Sequence, residues 1–374
     1  MTHHIIAAGH ICIDITPVFP SRLRADQIGE LLVPGKLIQV EAASVHTGGT
    51  VANTGLALRM LGNEITLLGK VGKDAFGGMV RDILAGYGAG GLIEDETTTT
   101  SYSVVLAIPG IDRCFLHHPG ANDTFVTDDI PEEALRGEAE LFHFGYPPLM
   151  KSLYADGGDE LTRMFRRVKE HDIATGLDMA AVDPNSPAGQ ADWRGILEKT
   201  LPYVDFFVPS FEELCFMLDR EKYDRLSEAG GDMTELPAVP EIADGLAEQC
   251  LAMGCGAVLV KCGIAGLIYR SAGISRIREI GSRLRLNHGL WADARGHQPC
   301  FRADIVCSGV GAGDASIAAW YSALLEGENP AMCAKLAAAE GAASVTSYDA
   351  LSGIMTLDRL KARLQTGWKT MEEE

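Results

Sequence analysis

Positive charge is scarce in this sequence: 32 Lys and Arg stand against 51 Asp and Glu, a formal net charge of −19. That balance repels nucleic-acid backbones and anionic membranes, which excludes both as principal partners. An anionic ligand would therefore need a local site, such as a helix N-terminus, a glycine-rich loop or a metal. No run of apolar residues reads as a transmembrane helix. The opening MTHHIIAAGHICIDI has no basic leader and runs straight into a buried-strand pattern, so no secretory signal is expected and the expected compartment is the cytoplasm. Paired-cysteine motifs are also missing. The nine cysteines are odd in number and form no CxxC, which favours reduced, buried thiols. Cys250, Cys255 and Cys262 lack the paired spacing of a zinc module, and a strand expected at 257–261 separates the last two. There is no internal repeat and no low-complexity linker.

What is present is a chain of 374 residues, 47% hydrophobic and 22% charged, enough for one large α/β domain or two ordinary ones. Short β-like runs alternate with amphipathic helical ones. HIIAAGHICI (4–13) reads as a central strand, GTVANTGLALRMLG (49–62) as a helix stopped by Gly62, and EITLLGKV (64–71) as the next strand. The pattern continues through a helix at 74–88, strands at 139–146 and 173–180 around a helix at 161–172, and the pair AVPEIADGLAEQCLAMG then GAVLVKCG. The C-terminal part is nearly all helical. Repeated β-then-α units imply a mostly parallel sheet flanked by helices, with ligands beyond the carboxyl ends of its strands. Two stretches break the alternation: 33–46 and 99–118 read as extended, half-polar strands. They are expected to build a small separate sheet, a lid drawn from about 15–46 and 98–118. The charged stretch 219–237 reads as a solvated loop. The Arg-rich 270–299 reads as a surface hairpin, with a basic arm near bound phosphate or a subunit neighbour as the sharper reading.

The strongest chemical signal is SGVGAGDAS (308–316) at the start of an amphipathic helix. Its glycines let the backbone approach a ligand closely. The N–H groups of Gly311, Ala312 and Gly313 would face an anion with the helix dipole behind them. Asp314, in the first turn, would stand beside such an anion and accept a proton from an attacking hydroxyl. Taken alone, the run reads equally as a capped helix start after a glycine turn. It is not a Walker A loop, since no GK[ST] follows, and it does not match GxGxxG. Near the N-terminus, Asp14 is expected to end the first strand, followed by Gly48, Gly49 and Asn53. A carboxylate, a flexible glycine pair and an amide suit recognition of a polyol. The bland alternatives are a turn residue for Asp14 and a helix-surface amide for Asn53.

In this order, the segments resemble the ribokinase-like (PfkB) carbohydrate kinases. GGTVANTGLALRMLGNEITLLGKVGKDAFGGMV (48–80) is similar to their N-terminal signature region and GVGAGDAS to their C-terminal one. RCFLHHPGAND (113–123), LPYVDFFVPSFEEL (201–214) and VLVKCGIAGLIY (258–269) resemble the segments between, and the likeness runs from about residue 5 to 365. The resemblance implies a ribokinase fold over 1–374, with a β lid that often forms a dimer interface. It also implies ATP and Mg²⁺, and transfer of the γ-phosphoryl group to a sugar-like hydroxyl. Carried over, Asp314 would be the base and Gly311, Ala312 and Gly313 the anion hole. Asp14, Gly48, Gly49 and Asn53 would contact the acceptor, and Glu213 would organise Mg²⁺ through water. Gly263 and Gly266 would line the nucleotide cleft, and Ala337, Ala338 and Gly341 would pass beside the adenine. Two departures stand out: Ser210 where the family has the Asn of NxxE, and Ser308 where it commonly has an Asp. The second puts a monovalent-cation site in doubt. A nucleoside kinase on the same fold is the alternative, with His117, His118 and Phe115 available in the lid. A non-catalytic sugar or nucleotide sensor is another, which the serines favour and the intact GAGD opposes. A nicotinamide dehydrogenase is disfavoured by the missing GxGxxG after the first strand.

Overall fold

A computed structural model describes residues 2–19, 29, 33–108, 114–228, 230 and 232–373. Parts of the expected lid, 20–28, 30–32 and 109–113, lie outside the described residues. In chain order the strands are β1 (His4–Gly9), β2 (Cys12–Val18), β3 (Glu41–Gly48), β4 (Glu64–Leu68), β5 (Lys70–Gly72), β6 (Ile93–Asp95), β7 (Tyr102–Leu106), β8 (Cys114–His118), β9 (Leu141–Gly145), β10 (Ala174–Asp178), β11 (Phe206–Phe207), β12 (Ala257–Lys261), β13 (Leu267–Ser271) and β14 (Arg295–Gln298). The large sheet has eight strands in the order β14-β13-β12-β11-β10-β9-β1-β4. It is parallel from β4 to β12 and antiparallel at the β13 and β14 edge. A four-stranded sheet, β3-β2-β7-β8, stands apart, and β5 and β6 form a parallel pair.

The alternation of β1 shows why the large sheet is covered on both faces. Ile5 and Ala7 join one buried cluster, with the helices near the C-terminus, while Ile6 and Ala8 join the other. A strand with both faces buried reads as continuous apolar sequence, which is what HIIAAG shows. Four helices matter for the site: α1 (Thr50–Met60), α2 (Phe211–Leu218), α3 (Ala312–Leu325) and α4 (Pro330–Ser344).

Several sequence expectations need correction. The run 4–13 is not one strand: it breaks after Gly9, so Asp14 belongs to β2 of the small sheet instead of ending β1. Gly9 has φ +125°, a region glycine alone enters easily, and a Cβ there would collide with the Gly145 carbonyl. Asn122, from the PGAN run, holds the bend: its amide donates to the Ile11 carbonyl at 2.9 Å and its Oδ1 accepts the Ile11 N–H at 3.2 Å. Likewise 64–71 divides at Gly69 into β4 and β5, which lie in different sheets. Of 33–46, only the part from Glu41 onward is strand.

The charged stretch 219–237 is solvated but not a loop. It begins with a helix, Arg220–Glu228, that buries none of its residues. Arg220–Asp224 and Lys222–Asp219 pairs support it, as spacing of three and four residues allows. The Arg-rich 270–299 spans the end of β13 and the whole of β14, an antiparallel pair as a hairpin requires, and the long connection between them holds short helical turns. It crosses the amino ends of the parallel strands. Arg276 donates to the carbonyls of Val204 and Gly254, and Arg283 to those of Gly137 and Ala139. Beneath it, Asp205 is fully buried and receives Lys169 at 2.9 Å and Arg276 at 3.1 Å. The backbone N–H of Thr175 also donates to Asp205. All nine cysteines are free thiols, and among the described residues no His, Cys, Asp and Glu cluster of metal-binding form occurs. Among the described residues no helix is long and apolar enough to cross a membrane.

Candidate active site

The register places three strand ends side by side at the carboxyl edge: Gly9 opposite Gly145, and Gly145 opposite Asp178. Asp314 enters this edge from the first turn of α3. Gly311 caps α3 with φ +73°, and a Cβ there would collide with Ala350, so the turn requires glycine twice over. No side chain caps α3. Of the three expected anion-hole amides, that of Ala312 makes a long 3.3 Å bond to the Gly309 carbonyl. A helix start of this kind presents N–H groups and a positive dipole end to an anion.

Asp314 is 5% exposed and accepts from three side chains: Thr54 Oγ1 at 2.5 Å on Oδ1, Tyr146 Oη at 2.8 Å and Asn53 Nδ2 at 3.4 Å on Oδ2. Asn53 and Thr54 come from α1, which is buried along nearly its whole length. Tyr146 follows β9 directly and sits at φ +69°, uncommon for a residue with a side chain. Its N–H donates to the Asp178 carbonyl at 3.3 Å, and Pro147 begins the next turn, so the backbone is pinned on both sides. Burial, then the Asp314 carboxylate, push the Tyr146 phenol well above its usual range, so it donates as a neutral hydroxyl.

Beside this group stands a buried ion pair that sequence reasoning did not single out. Lys261 Nζ meets Asp178 Oδ1 at 2.6 Å and the Val208 carbonyl at 2.6 Å. A Cβ on Gly313 would lie 3.4 Å from Lys261 Cε, so the lysine flanks the start of α3. Burial works against its charge, but Asp178, Glu213 and Asp314 outweigh that and raise its pKa. Glu213 itself closes a capping box on α2: it accepts the Ser210 N–H at 2.6 Å, and Ser210 Oγ accepts the Glu213 N–H at 3.3 Å. Ser210 thus caps the helix as an asparagine would. One Glu213 oxygen is committed to this cap.

Asp14 reaches the site from the small sheet. It sits opposite His46 and Ser103, and Ser103 opposite His117, forming a polar row across four strands on one face. Ser103 and His117 Nδ1 are 3.1 Å apart. Burial raises the Asp14 pKa, while hydrogen bonds from Cys12 and Ser103 oppose the rise. Gly48 is required because any Cβ would collide with the Asp14 carboxylate, and Gly49 (φ +86°) because one would collide with His10. Asn53 and Asp314 touch directly, and Asp14 joins them through this glycine pair.

The pfkB family carbohydrate kinase profile matches residues 3–357. The chain belongs to that family. Fructokinase-2 of Oryza sativa subsp. japonica is 25% identical over 224 residues, 59% of this chain and 61% of the relative's length. This pfkB-family chain thus spans less than two thirds of that relative. Two solved structures share its fold over 98% of the chain: fructokinase with bound ATP from Xylella fastidiosa, with TM-score 0.69, 20% identity and 99% of that chain covered; and ribokinase from Arabidopsis thaliana complexed with ribose and ATP, with TM-score 0.68, 18% identity and 99% covered. The architecture is therefore the ribokinase fold that the motifs implied.

The glycines expected at the nucleotide also have internal causes in this pfkB-family chain. Gly263 (φ +51°) faces Thr234, and Gly266 (φ +92°) faces the Gln298 carbonyl, so each admits a neighbouring segment. Gly341 lets α4 approach Ser316 of α3, with the Cβ position 2.5 Å from its Oγ. Ala337 and Ala338 are buried in the same apolar cluster as α3. Ser308 does not reproduce an aspartate: its Oγ accepts the Val310 N–H at 3.1 Å within the turn. Thr54 was visible in sequence only as Asn53's neighbour, and Tyr146 left no spacing signal. Asp178 and Lys261 did leave one, since each is the charged last residue of an apolar strand.

Proposed function

We propose that this chain is an ATP-dependent kinase that moves the γ-phosphoryl group of ATP to a hydroxyl of a sugar or sugar-like acceptor. One observation carries the reading: Asp314 is buried at an uncapped, glycine-led helix start, oriented by Asn53, Thr54 and Tyr146. Asp314 takes the proton of the acceptor hydroxyl as that oxygen bonds to the γ-phosphorus. The bond from the γ-phosphorus to the bridging oxygen breaks, and ADP leaves with that electron pair. Gly311, Gly313 and the N-terminal dipole of α3 stabilise the phosphoryl oxygens, with Ala312 joining if its long bond to Gly309 opens. Lys261, beside Gly313, adds a fixed positive charge, and Asp178 keeps it oriented.

Asp178 binds the Lys261 ammonium at 2.6 Å, and the Glu213 and Asp314 carboxylates act on it from further off. These carboxylates form no closed ligand cluster among the described residues, so Mg²⁺, which takes few protein ligands and keeps water and phosphate around it, would be held mainly through water. Glu213 would hold the ion through water, and the ion would offset phosphate charge. Asp14, Gly48, Gly49 and Asn53 form the acceptor side, and Gly263, Gly266, Ala338 and Gly341 the nucleotide side. The whole of 1–374 acts as one kinase unit, with the small sheet as a lid that excludes water. The exposed Phe115 and Leu116 on β8 suit a homodimer formed through that lid, in the cytoplasm. The fructokinase and ribokinase names of the similar proteins make D-fructose and D-ribose the first acceptors to try. The test measures ADP release with neutral sugars, sugar phosphates and nucleosides. ADP formed only with an acceptor present supports the reading. ADP release that no acceptor stimulates, or its complete absence, rejects it.

A further inference from the structure

His10 has no role in the reaction as described, yet it lies where the site's elements meet. It occupies the bend between β1 and β2 and is 2% exposed. Among the described residues neither ring nitrogen has a hydrogen-bond partner. Its ring centroid lies 5.2 Å from that of His117, the end of the polar row containing Asp14 and Ser103. On another side it lies 6.2 Å from Tyr146, whose hydroxyl is on Asp314. Below it is Gly49, the cap of the helix that supplies Asn53 and Thr54, where a Cβ would stand 2.6 Å from His10 Nδ1. The ring is thus wedged between the acceptor row and the proposed base.

Other buried polar atoms without a partner do not share this place. The His143 ring packs on Tyr321, and Trp320 on Trp291, in the core beneath the sheet. Among the described residues, His10 alone of these stands between the small sheet, α1 and Tyr146. Burial, then His117, hold its pKa well below the ordinary range, and burial also lowers that of His117. The two rings therefore face each other uncharged. A neutral imidazole has one donor and one acceptor, which matches a hydroxyl, itself donor and acceptor, and offers no cation to a phosphate.

We infer that His10 is an acceptor-recognition residue, hydrogen-bonding one hydroxyl of a polyhydroxyl acceptor on the side where its ring meets His117 and Tyr146. The inference rests on the kinase reading above. It also specifies the acceptor: an unmodified hydroxyl, not a phosphate ester, lies against His10.

The experiment uses the sugar that wild type turns over best and its singly deoxygenated analogues. Removing the hydroxyl that meets His10 lowers wild-type kcat/KM by about 10- to 100-fold, the loss expected when a buried polar partner is left unmatched. In His10→Phe the parent sugar suffers that loss while the one deoxy analogue does not, and the KM for ATP stays unchanged. His10→Asn restores part of the discrimination. A His10→Phe enzyme that still distinguishes every parent and deoxy pair as wild type does overturns the inference. If His10→Phe does not fold, ¹⁵N-histidine spectra of wild type with a non-hydrolysable ATP analogue decide the matter. Addition of the parent sugar shifts the His10 ring nitrogens, and unmoved resonances overturn the inference. A wild type that phosphorylates no member of the panel rejects the kinase reading first, and this inference with it. Turnover without His10-dependent discrimination rejects this inference alone.

Discussion

The two ends of the eight-stranded sheet both bury charge, and they resolve it in opposite ways. At the amino ends, Asp205 is saturated: Lys169, Arg276 and backbone N–H groups all point at one carboxylate. At the carboxyl ends, Lys261 is bound by Asp178 while Glu213 and Asp314 also act on its charge, and among the described residues Asp314 is held by two hydroxyls and an amide. The first arrangement leaves no capacity for a ligand and fixes the Arg-rich crossing segment. The second has an excess of negative charge next to a helix start built for anions, which suits a site completed by substrate and metal. Excess arginine in the sequence therefore marks the structural end, and a single lysine the chemical one.

Four measurements test that contrast. Asp314→Asn keeps the size and, with its new amide donating to the Thr54 hydroxyl, the contacts to Tyr146 and Asn53, but it removes the base, and kcat falls by roughly 10²- to 10⁴-fold with folding unchanged. A variant with near-wild-type turnover would remove Asp314 from the mechanism. Asp205→Ala leaves the partly buried Lys169 and Arg276 without their shared counter-charge, and denaturant unfolding shows a loss of about 3–5 kcal/mol. The native fraction keeps its KM values; a change in KM with unchanged stability would contradict the assignment of the two ends. Lys261→Met lowers kcat/KM for ATP by about 10-fold or more, as expected for losing one charge beside the phosphates. An effect on the acceptor KM alone would place the lysine elsewhere.

The smallest effect concerns Glu340 on α4, which is fully buried, accepts the Met355 N–H at 2.9 Å and has its pKa pushed up to about 8 by burial. The folded protein holds that proton more tightly than the unfolded chain does. The resulting stability is full below the unfolded pKa near 4.3 and is lost as pH rises toward about 8. Glu340→Gln keeps the acceptor and abolishes the titration, so its Tm exceeds that of wild type at pH 9 and the gap closes toward pH 4.5. A gap independent of pH would show that Glu340 is already ionised in the fold.

Much of the fold was legible because a parallel sheet covered on both faces needs continuous apolar strands and periodic helices between them, as in IIAAG at β1 or AVLV at β12. The breaks after Gly9 and at Gly69 were not legible. Each side of the break is equally apolar, and what ends the strand is a distant Asn122 or a change of sheet. The same limit misled the reading of Asp14. The rule that a charged residue ending a central strand marks the ligand edge was sound, but it described Asp178 and Lys261, while Asp14 belongs to the small sheet. The helix at Arg220–Glu228 was missed because it buries nothing, so its periodicity carried no apolar signal.

The sequence by itself determined the class of fold, the glycine-led start of α3 and the position of Asp314 on it. These follow from local rules: strand and helix periodicity, backbone freedom at glycine, and the dipole of a helix end. Only the tertiary structure decided which side chains surround that carboxylate. Thr54, Tyr146, Asp178, Lys261 and His10 come from separate stretches of chain, and they meet because parallel strands end at one edge while the small sheet folds back over it. Such meetings depend on register and on long-range burial, which no local pattern encodes.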